Sequence, residues 1–316
     1  MRRFSLSLAA VVLPAFALSL MLAGCGKEDK KDKSSGDTEV TPPTAKKDLT
    51  VLEPKGGILK GKIKVSGTPD LAKLNEDLKA LMAKQDKDEC MKGAETETTS
   101  QAYRIGENKQ LGNVFVWVIP DTGTFFKVDK KMLDELPKVV EVKQPHCAFI
   151  PHCLFHFPQY KDNPKKPRDL KPTGQIWKAV NNANISHNTD YKGGSLNAGN
   201  NKLLQKGEVM TVENLKPESS PVLIKCSIHN WMDAYMMVVD TPYYAVSLSD
   251  TLGIEKFDSK NEQFGTYEIK NLPTAKVRVI AWHEKLGYLT KDEGKGEAVE
   301  IAAGKPTEKD FTAQVK

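Results

Sequence analysis

With 316 residues, 39% of them hydrophobic and 28% charged, the chain is long enough for two domains of ordinary size and apolar enough to bury cores. Its formal charge of +5 is modest, and no Lys/Arg cluster is interleaved with aromatic residues. That pattern excludes nucleic acid as an expected partner.

The first segment reads as an address. Arg2 and Arg3 precede an apolar run from Leu6 to Leu22 that is short for a spanning helix and ends at Leu22-Ala23-Gly24-Cys25. Small residues at that point predict removal of residues 1–24 as a signal peptide. Leu-Ala-Gly-Cys resembles the lipobox of bacterial lipoproteins, which implies that Cys25 becomes the lipidated first residue. Such a protein is held to a membrane face in the cell envelope, in the periplasm or at the outer membrane, without crossing the bilayer. Gly26 stands where inner-membrane retention usually has an aspartate, which favours the outer membrane. Residues 25–54 are expected to form a disordered tether, since KEDKKDKSSGDTEVTPPTAKK (27–47) has too little apolar surface to offset the entropy of ordering it.

The folded part opens with Gly57–Val65, which alternates apolar and charged residues in its second half and predicts a strand with one exposed face. Thr68-Pro69-Asp70 then predicts a helix start, with Thr68 as cap and Pro69 in the first helical position. Leu71, Leu74, Leu78 and Leu81 follow at helical spacing along one packing face. Asn113–Ile119 is an apolar run of strand length. Strand-like pieces follow at 139–142, 176–180, 208–212, 222–226 and 234–239, separated by turn residues. Lys161 to Gly174, rich in Pro and Lys, reads as a surface loop. A second group of strands occupies 243–248, 265–269 and 277–282. Many short strands with few helices predict an all-β fold: a β-sandwich at 55–240 with a helical insertion, and a smaller C-terminal β-sandwich at 241–316.

The chemistry concentrates in Ile224-Lys225-Cys226-Ser227-Ile228-His229-Asn230-Trp231-Met232, where a thiolate, an imidazole and a thioether fall within seven residues after an apolar strand. Thiolate and thioether are soft ligands and imidazole suits both copper oxidation states; two histidines, a cysteine and a weak axial methionine define the electron-transfer copper site. His187, in Ser186-His187-Asn188, supplies the second imidazole at the end of the strand that begins near Ile176.

Cys-x2-His-x2-Met has the ligand-loop length of amicyanin, and Ser-His-Asn resembles the Pro-His-Asn of plastocyanins and amicyanins. The resemblance implies a Greek-key cupredoxin fold with one type 1 copper. It assigns His187 and His229 as imidazole ligands, Cys226 as thiolate and Met232 as axial thioether, with Asn188 tying the two ligand loops together. Cys147-x3-Pro151-His152, Pro242-Tyr243-Tyr244-Ala245-Val246 and Ala281-Trp282-His283-Glu284 extend it. In order, these motifs resemble methylamine-utilisation-type secreted proteins that join a cupredoxin to a carboxypeptidase-regulatory-like β-sandwich, over roughly 55–288. The expected function is single-electron transfer, without enzymatic activity, between partners such as a cytochrome c or a membrane oxidoreductase. His229 is expected to be the exit point, at an apolar surface patch. The alternatives are a copper-binding or copper-delivery protein and a cell-surface β-sandwich binding module.

Cys90, Cys147 and Cys153 remain, and in an oxidising compartment three thiols permit one disulfide. Cys90–Cys147 would pin the helical insertion to the sandwich; Cys90–Cys153 is the alternative. His146, His152 and His156 lie close together, and a second metal site would need His152 and His156 on one helix face, which Pro151 and Pro158 oppose. They read instead as packing and turn residues near the copper, and His283-Glu284 as structural.

Overall fold

A computed structural model describes residues 48–250, 252 and 260–315. The expected signal peptide, Cys25 and residues 25–47 of the expected tether lie outside the described residues, whereas the end of that tether is ordered, for Thr50–Leu52 pairs in parallel with Thr124–Phe126. Among the described residues, no helix is long and apolar enough to cross a membrane.

The chain is all-β, with two sandwiches. In the first, a five-stranded sheet runs in the order Asn200–Leu204, His187–Tyr191, Val222–Lys225, Asp233–Val238, Cys153–His156. It faces a three-stranded sheet of Val209–Val212, Ile176–Asn181 and Val139–Gln144. Alternation decides what goes inside: Trp177 and Ala179 from the smaller sheet meet Ile224, Ala234 and Met236 from the larger. The sheets are mixed rather than wholly antiparallel, because Val139–Gln144 pairs parallel with Ile176–Asn181 and Cys153–His156 parallel with Asp233–Val238. Both parallel pairs are joined by the long connections that such pairing demands.

The second sandwich does not follow the expected boundary at 240/241. Lys276–His283 pairs with Phe115–Pro120 through six register positions, and Thr266–Leu272 pairs with Gly57–Ser66. Phe311–Gln314 joins Gly57–Ser66 in parallel. Two strands assigned to the first domain, Gly57–Ser66 and Phe115–Pro120, are therefore built into the C-terminal sandwich, whose core joins Leu59, Ile63 and Val116 to Val277, Val279 and Phe311. Gly61 is required here, since a Cβ would strike the Lys309 carbonyl as the last strands pass.

Phe115–Pro120 also explains its own continuous apolarity. Val116 and Val118 face the second core, while Phe115 and Trp117 face a third cluster with Phe155, Phe157, Met237 and Ile280. A strand covered on both faces has no polar side to show.

The helical insertion comprises Leu71–Met82, Lys87–Cys90 and Glu95–Thr98. Its first cap is Asp70 rather than Thr68: the Asp70 carboxylate accepts the Lys73 N–H at 2.9 Å. Leu71, Leu74 and Leu78 are half-buried and Leu81 is exposed. The segment 161–174 is not wholly loop, for Leu170–Pro172 returns to pair with Gln159–Lys161.

Candidate metal centre

Three of the expected ligands converge. Cys226 Sγ lies 3.8 Å from His187 Nδ1 and 3.8 Å from His229 Nδ1, and the two Nδ1 atoms are 3.0 Å apart. Ligand bonds of about 2.0–2.3 Å opened by 110–120° separate two donors by about 3.3–3.8 Å. The sulfur–nitrogen spacings fit this, and the nitrogen–nitrogen spacing is slightly short. Met232, the fourth expected ligand, is buried in the same core cluster as Cys226.

Local structure explains the convergence. His187 opens its own strand, His187–Tyr191, rather than ending the one that starts at Ile176, and that strand pairs with Val222–Lys225. Cys226 follows the end of the latter strand. The chain then turns tightly: the His229 N–H donates to Cys226 Sγ at 3.4 Å, Met232 N–H to the His229 carbonyl at 2.9 Å and Cys226 N–H to the Met232 carbonyl at 3.1 Å. The short Cys-x2-His-x2-Met loop is thus closed by its own backbone.

Asn188 joins the two ligand loops through its main chain, whose N–H donates to Cys226 Sγ at 3.4 Å. Its side chain turns away to Asn201, 2.9 Å distant. The sulfur so receives two backbone N–H groups, those of Asn188 and His229. Burial pulls the His187 imidazole down to about 4, and neighbouring His229 acts in the same direction. At neutral pH that ring is uncharged and has a lone pair to give.

The expected exit through an exposed His229 edge is corrected. His229 is fully buried, and its Nε2 lies 2.9 Å from Asp86 Oδ2 in the helical insertion. Trp231 covers another side, its ring centroid 5.1 Å from that of His229 and its Nε1–H donating to the Cys147 carbonyl at 3.2 Å. The Cys90–Cys147 disulfide fastens the insertion beside it. Nothing in KQDKDEC (84–90) marks Asp86 among its neighbours, and only folding selects it.

The other histidines have separate fates. His152 and His156 bound a strand, not a helix, and share no site with His146. His146 Nδ1 meets Glu97 at 3.2 Å. His156 Nε2 meets the Gln175 carbonyl at 3.2 Å, and burial brings its pKa to about 4. His152 Nδ1 meets the Asp233 carbonyl at 3.1 Å and its Nε2 meets Glu284 at 2.7 Å, with Lys285 Nζ on the other Glu284 oxygen at 3.1 Å. His152, Asp233 and Glu284 lie close enough to ligate an ion. However, both His152 nitrogens are engaged, and Lys285 with His152 already balances the carboxylate. Cys153 stays a buried thiol, raised well above its ordinary pKa by burial, with its sulfur 3.4 Å from the Asn113 carbonyl.

The sequence matches no protein-family model and no curated protein. Solved structures that it resembles include a copper-containing nitrite reductase from Thermus scotoductus, at 17% identity and TM-score 0.26, over 34% of this chain and 23% of that one. They also include amicyanin from Paracoccus versutus, at 12% identity and TM-score 0.24, over 34% of this chain and 88% of that one. A third is a purple cupredoxin from Nitrosopumilus maritimus, at 12% identity and TM-score 0.23, over 32% and 99%. The chain spans less than a quarter of the nitrite reductase it matches.

Proposed function

We propose that this chain is a lipid-anchored, extracytoplasmic blue-copper protein, a cupredoxin in its first sandwich, that passes single electrons and is not an enzyme. The observation that supports it best is the convergence of Cys226 Sγ with the Nδ1 atoms of His187 and His229. Two imidazoles and a thiolate, with a methionine in the same loop, are the donors that favour copper over zinc, which has little use for a thioether.

Copper held there would supply a one-electron Cu(II)/Cu(I) couple. The chain's own residues do the rest. The Asn188 and His229 N–H groups hold the sulfur in place before any metal arrives. The tight turn from Cys226 to Met232 limits how far the ligands can move when the charge changes. Complete burial of His187 and His229, with Cys226 and Met232 nearly so, keeps out water that would otherwise reorganise. Lipidated Cys25 and the tether would let this site visit partners of the cytochrome c or membrane-oxidoreductase kind.

Enclosure of His229 favours a second reading, a copper-holding or delivery protein with the same ligands and slow electron exchange. Visible and EPR spectra of the mature domain after Cu(II) addition test the first reading. An intense blue absorption that is lost in Cys226→Ser and shifted in Met232→Ala is the expected result. Weak, colourless copper binding overturns it. Retention of copper through reduction and reoxidation separates electron transfer from delivery.

A further inference from the structure

The helical insertion is tied to the candidate copper site at four points. Asp86 Oδ2 meets His229 Nε2 at 2.9 Å, and the disulfide joins Cys90 to Cys147. The Glu89 carboxylate accepts the main-chain N–H of Asn184 at 2.8 Å and its side-chain amide at 3.1 Å, just before the loop reaches His187. Glu97 meets His146 at 3.2 Å. Every tie ends on a loop that carries a ligand or flanks one.

Asp86 occupies this place by more than chance contact. It sits at φ 48°, a left-handed conformation that aspartate tolerates better than most residues. Its carbonyl accepts the N–H groups of Glu89 at 3.0 Å and Cys90 at 2.9 Å, starting the short helix whose residues make two of the other ties. The carboxylate is therefore aimed by the same turn that sets Glu89 and Cys90.

An imidazole has two nitrogens, and a ring that ligates through one must protonate the other. With Nε2–H donating to Asp86, Nδ1 keeps its lone pair on the side of Cys226 and His187. We propose that Asp86 is a positioning residue for His229: it fixes the tautomer, stops the ring from turning out, and stands between its edge and solvent. The carboxylate side chain is itself 42% exposed, so it faces outward as well as inward. This inference rests on the copper reading above.

The test uses the copper-loaded protein with Asp86→Ala and Asp86→Asn. Cu(II) affinity is measured by chelator competition, the reduction potential by redox titration, and the site by EPR. Asp86→Ala is expected to loosen Cu(II) by about 10–100-fold, the usual loss when a ligand histidine is deprived of its partner. It should also raise the potential, because a negative charge that favours Cu(II) is gone. Asp86→Asn keeps an oxygen acceptor and should recover most of the affinity while the potential stays raised. A purely structural role would lower the unfolding midpoint and leave the potential in place. Blue variants with wild-type affinity and potential overturn the role of Asp86 alone. A colourless wild type overturns the copper reading, and the role of Asp86 with it.

Discussion

At the scale of single residues, the contrast is between Cys226, His229 and Met232 on one hand and Glu284 on the other. The first three share one loop, so their spacing in the sequence is already most of their spacing in space. Glu284 meets its partner His152 across 132 positions, and His283-Glu284 reads as merely structural until folding supplies that partner. Burial alone would lower the His152 pKa, but the Glu284 carboxylate outweighs it and raises it. His152 thus stabilises the fold fully below 6.5, and that contribution is lost as pH rises through its raised value. Glu284 is held below its ordinary pKa, chiefly by the charge on His152 working against burial. Its contribution is present above 4.5 and is lost as pH falls through the depressed value. Glu284→Gln is therefore expected to cost about 3 kcal/mol near pH 6, because it strands a buried charge. Denaturant unfolding should show a smaller loss near pH 9, where the wild-type histidine is less charged; equal losses would rule out the ion pair as the source.

Among elements, the helical insertion is the one whose position the sequence conveys least. Leucines at helical spacing announce the helix Leu71–Met82, but not where it goes. Its destination is decided by Cys90–Cys147, across 57 positions, and by Asp86 and Glu89. Cysteine counting left two pairings open. Cys147 lies in the loop that also receives Trp231, whereas Cys153 points into the cluster behind Phe115. Removing the disulfide with Cys90→Ser and Cys147→Ser together should cost about 2–5 kcal/mol, given a loop of this length. A thermal or urea melt checks this, and an unchanged midpoint would show that the remaining ties suffice. Strands were far more legible than caps or short hairpins. Alternation and apolar runs persist over five or six residues, whereas Asp70 takes the cap from Thr68 by a single hydrogen bond.

For the whole molecule, the connection between the sandwiches matters most. Residues 48–315 form one compact unit, and the C-terminal strands complete sheets begun by Gly57–Ser66 and Phe115–Pro120. A chain ending at Asp240 would leave Leu59, Ile63, Val116 and Val118 without their covering strands. It is expected to lose the cooperative unfolding transition of the full chain and to bind hydrophobic dyes. A sharp transition in circular dichroism melts of that shortened chain would show that the first sandwich folds independently.

The sequence by itself determined the all-β class, most strands, and the grouping of thiolate, imidazole and thioether, because periodicity and short loops are local properties. It also marked His187, whose Ser-His-Asn setting is local too. Only the tertiary structure decided which cysteines pair, which strands complete the second sandwich, and that Asp86 rather than solvent meets His229. Those outcomes depend on contacts between distant segments, where many residues of the same type compete and packing selects one.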